Sequence, residues 1–305
     1  MKDQDAMKPV RPPNPNTRPP KLKAPPGACD THLHIYGPFD RYPLSPARHY
    51  TPAEHSTLED YLRVHRTLGL ERAVIVTGSG NGTNNRVTAD AIAHMKGQFK
   101  GLALLDPAIT DVELAQLKES GFTGFRMKAN GKDALSIEAA QRIAPRVAGF
   151  GWHVEFQAES LAEALGVAPA LNKLGMPYLF DHLARSGPDK RINDPGFQEL
   201  LRVLRSEENI WINLYSFYQR SEEGPPHYSD MVSVAQALID ARRKRVLWGT
   251  NWPHGGVRVP IPNDADLLDF LLVAVPDESI RKLILSDNPA ILYGWSDSVY
   301  RDTGG

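Results

Sequence analysis

From Cys29 onward, short apolar runs alternate with longer amphipathic stretches, and this alternation predicts the fold. Runs at 28–35, 71–77, 100–105, 122–128, 152–158, 177–182, 209–215 and 245–250 read as strands, with the β-branched and aromatic content that buried strands favour. The segments 57–69, 85–97, 111–120, 159–173, 197–206 and 229–243 repeat their apolar residues at helical spacing. The segment 136–149 is the least regular, because Pro145 interrupts it. Eight strands alternating with helices over about 250 residues predict an α/β fold, the parallel (β/α)8 TIM barrel. A doubly wound open sheet is the alternative, but no Gly-rich nucleotide loop follows the first strand. Gly78-Ser79-Gly80-Asn81-Gly82 follows the second strand without a Walker lysine or dinucleotide-binding spacing, and reads as a flexible active-site loop.

Residues 1–27 break the pattern. They are rich in proline and basic residues (Arg11-Pro12-Pro13-Asn14-Pro15, Pro19-Pro20, Pro25-Pro26) and have little to bury. Two readings stand: an extended arm laid over the surface or onto a partner subunit, and a disordered tail. The domain reading is therefore an arm over 1–27 and a barrel over 28–305.

Composition narrows the function classes. With 35 basic and 36 acidic residues, the net charge of −1 gives no global field for nucleic acid or a membrane. The single cysteine, Cys29, rules out an intramolecular disulfide and a zinc site built on several cysteines. No apolar run reaches the roughly 20 residues that span a bilayer, and Lys2 and Lys8 are followed by no apolar signal-peptide core. A cytoplasmic location is expected. A homo-oligomer is compatible with the sequence.

In a barrel, chemistry sits at the C-terminal ends of the strands and in the loops after them. His32, His34, Ser79, Arg126, Lys128, Gln157, His182, Arg185, Asn251 and His254 fall there. His32 and His34 are two apart on a strand and project from one face. That pair is a metal site, a pair of proton-handling groups, or two buried hydrogen-bonded imidazoles. Asp30 shares their parity and is expected deeper in the barrel. Arg126 shares a face with Lys128, where a guanidinium is suited to clamp a carboxylate or, in the plainer reading, to form a salt bridge. Strand five turns His153, Glu155 and Gln157 to one face, and Glu155 is a structural partner for a histidine, a metal ligand or a substitute base, the first being favoured.

Five segments together resemble the amidohydrolase superfamily: Asp30-Thr31-His32-Leu33-His34-Ile35-Tyr36-Gly37-Pro38, Gly151-Trp152-His153-Val154, Phe180-Asp181-His182 with Arg185, Trp248-Gly249-Thr250-Asn251-Trp252-Pro253-His254, and Asp287-Asn288-Pro289-Ala290-Ile291-Leu292-Tyr293-Gly294. The likeness is to the branch of 2-pyrone-4,6-dicarboxylate lactonase and sugar-lactone enzymes. It implies a barrel acting on a small anionic lactone, with His32, His34 and His182 polarising the carbonyl. Arg126, Arg185, Ser79, Tyr50 and Arg220 take the places that hold substrate carboxylates, with Lys128, Gln157 and His254 beside them. The branch is known for working without a metal, so no cofactor is expected; zinc or another divalent ion on His32, His34 and His182 is the second reading.

In that branch the eighth-strand residue that activates water is aspartate, whereas this chain has Asn251; and the lactonase has tyrosine where Gln157 stands here. An amide accepts no proton near neutral pH. A general base contributes about 10²–10⁴-fold, but a well-oriented internal hydroxyl reaches effective molarities of about 10⁵–10⁸ M. Isomerisation of a sugar-diacid lactone, as in the branch's galactarolactone isomerase, is therefore the preferred expectation. A lactone hydrolase and a non-catalytic binding barrel are the alternatives.

Overall fold

A computed structural model describes residues 10–48, 50–129 and 135–295. The first nine residues of the arm and the last ten of the barrel segment lie outside the described residues. Eight parallel strands run in the order β1 to β8: Cys29–Leu33, Arg72–Val76, Phe99–Ala103, Phe122–Lys128, His153–Gln157, Tyr178–Phe180, Ile210–Asn213 and Val246–Leu247. Helices follow the strands: α1 Leu58–Leu68, α2 Arg86–His94, α3 Asp111–Glu119, α4 Ile137–Ile143, α5 Leu161–Asn172, α6 Pro195–Ser206 and α7 Val232–Arg242. This is the (β/α)8 barrel that the alternation predicts. Pro145 opens a 3-10 turn, Ala144–Phe150, directly after α4 and explains the weak periodicity there.

The barrel closes between β8 and β1. Thr31 N donates to Trp248 O at 3.1 Å, Asn251 N to His32 O at 2.8 Å and His34 N to Trp252 O at 2.8 Å. Gly249 permits this approach, since a Cβ there would lie 2.8 Å from His32 N. Two further helices, α8 Asp264–Ala274 and α9 Glu278–Lys282, precede a π-helical turn and α10 Asn288–Tyr293. The sequence reading has no helix at α8. Its apolar residues Leu267, Leu268, Phe270 and Leu271 are buried with Asp264 and Ala265, so no polar stripe marks a helical period.

Strand β4 slips register against β3 between Gly101 and Leu102. Along β2, β3 and β5 to β7 the expected two-residue alternation holds, with Val74, Val76, Leu102, Leu179 and Trp211 sharing one cluster with Cys29 inside the barrel. Strand β1 departs from it. Its register to β2 shifts between Asp30 and Leu33, which marks a bulge. Asp30 therefore does not share the inward face of His32, as parity predicts. Its carboxylate accepts from Thr250 N at 2.9 Å, Thr250 Oγ1 at 2.6 Å and Tyr61 Oη of α1 at 3.0 Å. Asp30 is a bolt between β1, the end of β8 and the helix layer.

Residues 10–27 run across the outside of the barrel. Arg18 bridges Asp266 and Asp269 of α8, Lys21 N and Leu22 N donate to Asp269, and Val10 N donates to Thr51 O. Among the described residues, no helix is long and apolar enough to cross a membrane.

Candidate active site

Each strand end delivers its chemistry to one end of the barrel, and the backbone there is under strain. Non-glycine residues with φ between 47° and 65° include His182, Leu183, Ala184 and Arg185 after β6, Ser216 after β7, and Asn251 and His254 after β8. A left-handed residue costs roughly 1–2 kcal/mol. Such strain persists where surrounding contacts over-determine it and clusters at functional sites.

His32, His34 and His182 come together as the sequence implies. His34 Nδ1 lies 2.7 Å from Val76 O, and a carbonyl only accepts, so the proton is on Nδ1 and Nε2 faces inward as a lone pair. His32 Nε2 is 3.3 Å from that nitrogen and must be the donor between them. On its other side, His32 Nδ1 is hydrogen-bonded to Glu155 Oε2 at 3.2 Å. Glu155 is sealed inside the barrel. Burial, opposed by Arg126 and reinforced by Asp181, pushes its carboxyl well above the usual range. Burial and the neighbouring His34, Arg126 and His182 push His32 well below the usual imidazole range. The directions agree with a neutral Glu155 donating to His32, the partner role that parity favours.

Arg126 is 4 % exposed, with Nη2 2.9 Å from Asp181 Oδ2 and Nε 3.3 Å from Glu155 Oε1. Burial disfavours its charge, yet Asp181 and Glu155 keep its proton affinity above the ordinary value. The expected carboxylate clamp is thus engaged with the protein's own Asp181, because a buried guanidinium needs compensation in place. Asp181 is likewise buried, but His182 and Arg126 override burial and hold it far below the usual range. His182 Nδ1 approaches Asp181 Oδ1 to 2.9 Å, a close contact without hydrogen-bond alignment. Burial, opposed by Asp181, holds His182 below the usual imidazole range.

Tyr215 escapes the sequence reading. Its ring stacks on His32 at 4.1 Å between centroids and meets His182 edge-on at 4.8 Å. Burial raises its phenol well above the ordinary value. Extending the inward alternation of β7 through Trp211 and Asn213 is the signal that finds it.

The remaining candidates form the rim. Arg185 anchors Nε on Ala158 O at 2.6 Å, and Arg220 anchors Nε on Ser186 O at 3.2 Å. Burial and the like charges of Arg185 and Arg191 lower the proton affinity of Arg220. Tyr50 Oη lies 2.7 Å from Tyr36 Oη. Tyr36 packs under the glycine loop so tightly that a Cβ on Gly78 would sit 1.9 Å from its oxygen. Ser79 is partly exposed in that loop, Gln157 is partly exposed at the end of β5, and Lys128 is buried beside it in register.

His254 is a correction. It is fully buried, with Nδ1 2.8 Å from Tyr218 Oη and Nε2 3.0 Å from Asp264 Oδ1. Both ring nitrogens have protein partners, so it stands behind the site rather than on the ligand. Asn251 is in front of it, donating Nδ2 to Tyr218 Oη at 3.0 Å. Tyr218 and Asp264 also escape the sequence reading, since neither lies in a motif.

His32 Nε2 and His34 Nε2 face one another, but among the described residues no three His, Cys, Asp or Glu side chains form a group able to hold an ion. The three-ligand set of a catalytic zinc site is not assembled.

Comparison with known proteins agrees with the architecture. Residues 29–295 match the amidohydrolase family. The chain is 35% identical over 287 residues to a 4-sulfomuconolactone hydrolase of Hydrogenophaga intermedia, covering 92% of this chain and 93% of that one. It is 33% identical to a 2-pyrone-4,6-dicarboxylate hydrolase of Comamonas testosteroni (93% and 95% covered). It is 28% identical to a D-galactarolactone isomerase of Agrobacterium fabrum (88% and 91%). An apo crystal structure from Agrobacterium tumefaciens superposes with a TM-score of 0.80 at 28% identity, covering 91% of this chain and 99% of that one. The chain belongs to the amidohydrolase family and is an enzyme of its lactone-processing kind.

Proposed function

We propose that this enzyme isomerises a sugar-diacid lactone of the galactaro-1,5-lactone type to the 1,4-lactone, by intramolecular acyl transfer and without a metal. The observation that carries the reading is Asn251, an amide hydrogen-bonded to Tyr218 at the strand end next to His32. The His32 proton shared with His34 at 3.3 Å is a long bond that a lactone carbonyl oxygen can enter as second acceptor. A ring hydroxyl then attacks the carbonyl carbon. His182, held neutral by burial with Asp181 against Nδ1, takes the hydroxyl proton and returns it to the departing ring oxygen. The cycle needs no water and no net proton. The arginines of the rim, Arg185 and Arg220, hold the substrate's anionic group.

Hydrolysis, as in the sulfomuconolactone and pyrone relatives, is the second reading. It requires a base, and Glu155 is a poor one while burial keeps its carboxyl protonated. Incubation with galactaro-1,5-lactone, followed by NMR for ring size with and without EDTA, tests the reading. Accumulation of the 1,4-lactone in both samples is expected. Open-chain diacid at enzymatic rates with no 1,4-lactone first, or loss of turnover in EDTA, defeats it.

A further inference from the structure

Behind Asn251 lies a buried chain of hydrogen bonds that barrel closure and the histidine cluster do not use. Asp264, His254 and Tyr218 are 0 %, 0 % and 2 % exposed, and Asn251 is 6 % exposed. The contacts run from Asp264 Oδ1 to His254 Nε2 at 3.0 Å, from His254 Nδ1 to Tyr218 Oη at 2.8 Å, and from Tyr218 Oη to Asn251 Nδ2 at 3.0 Å.

The direction of each bond is forced by the one before it. A carboxylate only accepts, so His254 Nε2 carries the ring proton. With a single ring proton, carried on Nε2, Nδ1 is a lone pair to which Tyr218 donates its O–H. With its one proton committed, the Tyr218 oxygen is an acceptor and takes the Asn251 amino group. Gln219 Nε2, a second donor, lies 3.5 Å from the same oxygen. The Asn251 amide is thereby set with Oδ1 on the opposite branch. Among the described residues nothing donates to Oδ1, and that atom is not sealed from solvent. The turn that carries both ends of the chain has Asn251 at φ 62° and His254 at φ 63°, with His254 N donating to Asn251 O at 2.9 Å.

We propose that Asp264, His254 and Tyr218 are positioning residues that lock the Asn251 amide with its carbonyl oxygen toward the ligand, making position 251 an acceptor for a substrate hydroxyl. Asn251 then holds the attacking hydroxyl by its hydrogen in the bound ring, turning an oxygen lone pair to the lactone carbon, and that hydrogen passes to His182 as the new C–O bond forms. A ring without that hydroxyl gains nothing from the contact. The identity of the hydroxyl rests on the isomerase reading above; the orientation of the amide does not.

Two measurements on the full chain test this. The first is the tautomer of His254, read from side-chain ¹⁵N shifts of histidine-labelled protein and assigned with His254→Gln. A proton on Nε2 alone is expected, and a proton on Nδ1, with or without one on Nε2, overturns the proposal. The second compares binding of two unreactive rings, tetrahydropyran-2-carboxylate and its 3-hydroxy derivative, by calorimetry. The hydroxylated ring is expected to bind about tenfold more tightly, one hydrogen bond's worth. In Tyr218→Phe that preference should fall to about twofold or less, while affinity for the unhydroxylated ring stays within about twofold; a merely structural defect would weaken both rings alike. Absence of a hydroxyl preference in the natural chain, including failure of both rings to bind, or its persistence in Tyr218→Phe, overturns the proposal. If the preference and the Nε2 proton stand while no lactone changes ring size, the isomerase reading falls and the amide orientation survives.

Discussion

Asn251→Asp should convert the enzyme toward hydrolysis. The root of the side chain is pinned, because Asn251 N donates to His32 O at 2.8 Å, so the introduced carboxylate occupies the place of the amide. A positioned base is worth about 10²–10⁴ in rate. Against this stands the Tyr218 hydroxyl, 3.0 Å from the present Nδ2. To donate to a carboxylate it must release His254 Nδ1, a loss of about 1 kcal/mol, or about fivefold. The expected gain in hydrolysis is thus about 20- to 2,000-fold. The site is buried, which pushes the introduced carboxyl upward, and the active form is the ionised one. The gain should therefore be full above its pKa and disappear as pH falls through it. Acid release from galactaro-1,5-lactone in a pH-stat, with circular dichroism to verify folding, measures the effect. A folded variant whose hydrolysis stays within about threefold of the parent would refute the placement of position 251 over the carbonyl.

Glu155→Gln should fold and keep catalysis within about tenfold, since an amide replaces a neutral carboxyl as the partner of His32, whereas a collapse of about 10³ or more would identify Glu155 as a base; steady-state kinetics decide. Arg126→Met leaves the Asp181 carboxylate buried without its cation and should cost about 3–5 kcal/mol in urea unfolding. Asp30 is pushed up to about 6, chiefly by burial and despite its bonds to Thr250 and Tyr61. Its folded form holds the proton longer than the unfolded chain, so stability is highest below about pH 4 for this group and falls as pH rises through about 6, by about 3 kcal/mol at full linkage. Asp30→Asn should flatten that part of the stability–pH profile measured by urea midpoints.

The barrel is legible in the sequence because strands buried on both faces are short apolar runs, and each was found within a few residues of its observed place. Helix α8 was hidden by the same burial, which removes the polar stripe that marks amphipathic helices elsewhere in this chain. The site is legible where chemistry rides on strand parity: His32 with His34, Arg126 with Lys128, and Glu155 with Gln157. Parity misplaced Asp30 because a bulge in β1 adds residues that no pattern announces. Tyr215 and Tyr218 lie beyond β7, and Asp264 starts a helix far along the chain. Tyr215 continues the inward parity of Trp211 and Asn213, whereas the roles of Tyr218 and Asp264 arise from loop geometry and long-range packing that only the folded structure brings to Asn251.

The most direct measurement is turnover of galactaro-1,5-lactone in H₂¹⁸O, with products resolved by NMR and mass spectrometry. The expected result is galactaro-1,4-lactone carrying no ¹⁸O, formed before any diacid. Diacid bearing one ¹⁸O, released at the enzymatic rate with no 1,4-lactone accumulating, would contradict acyl transfer to an internal hydroxyl.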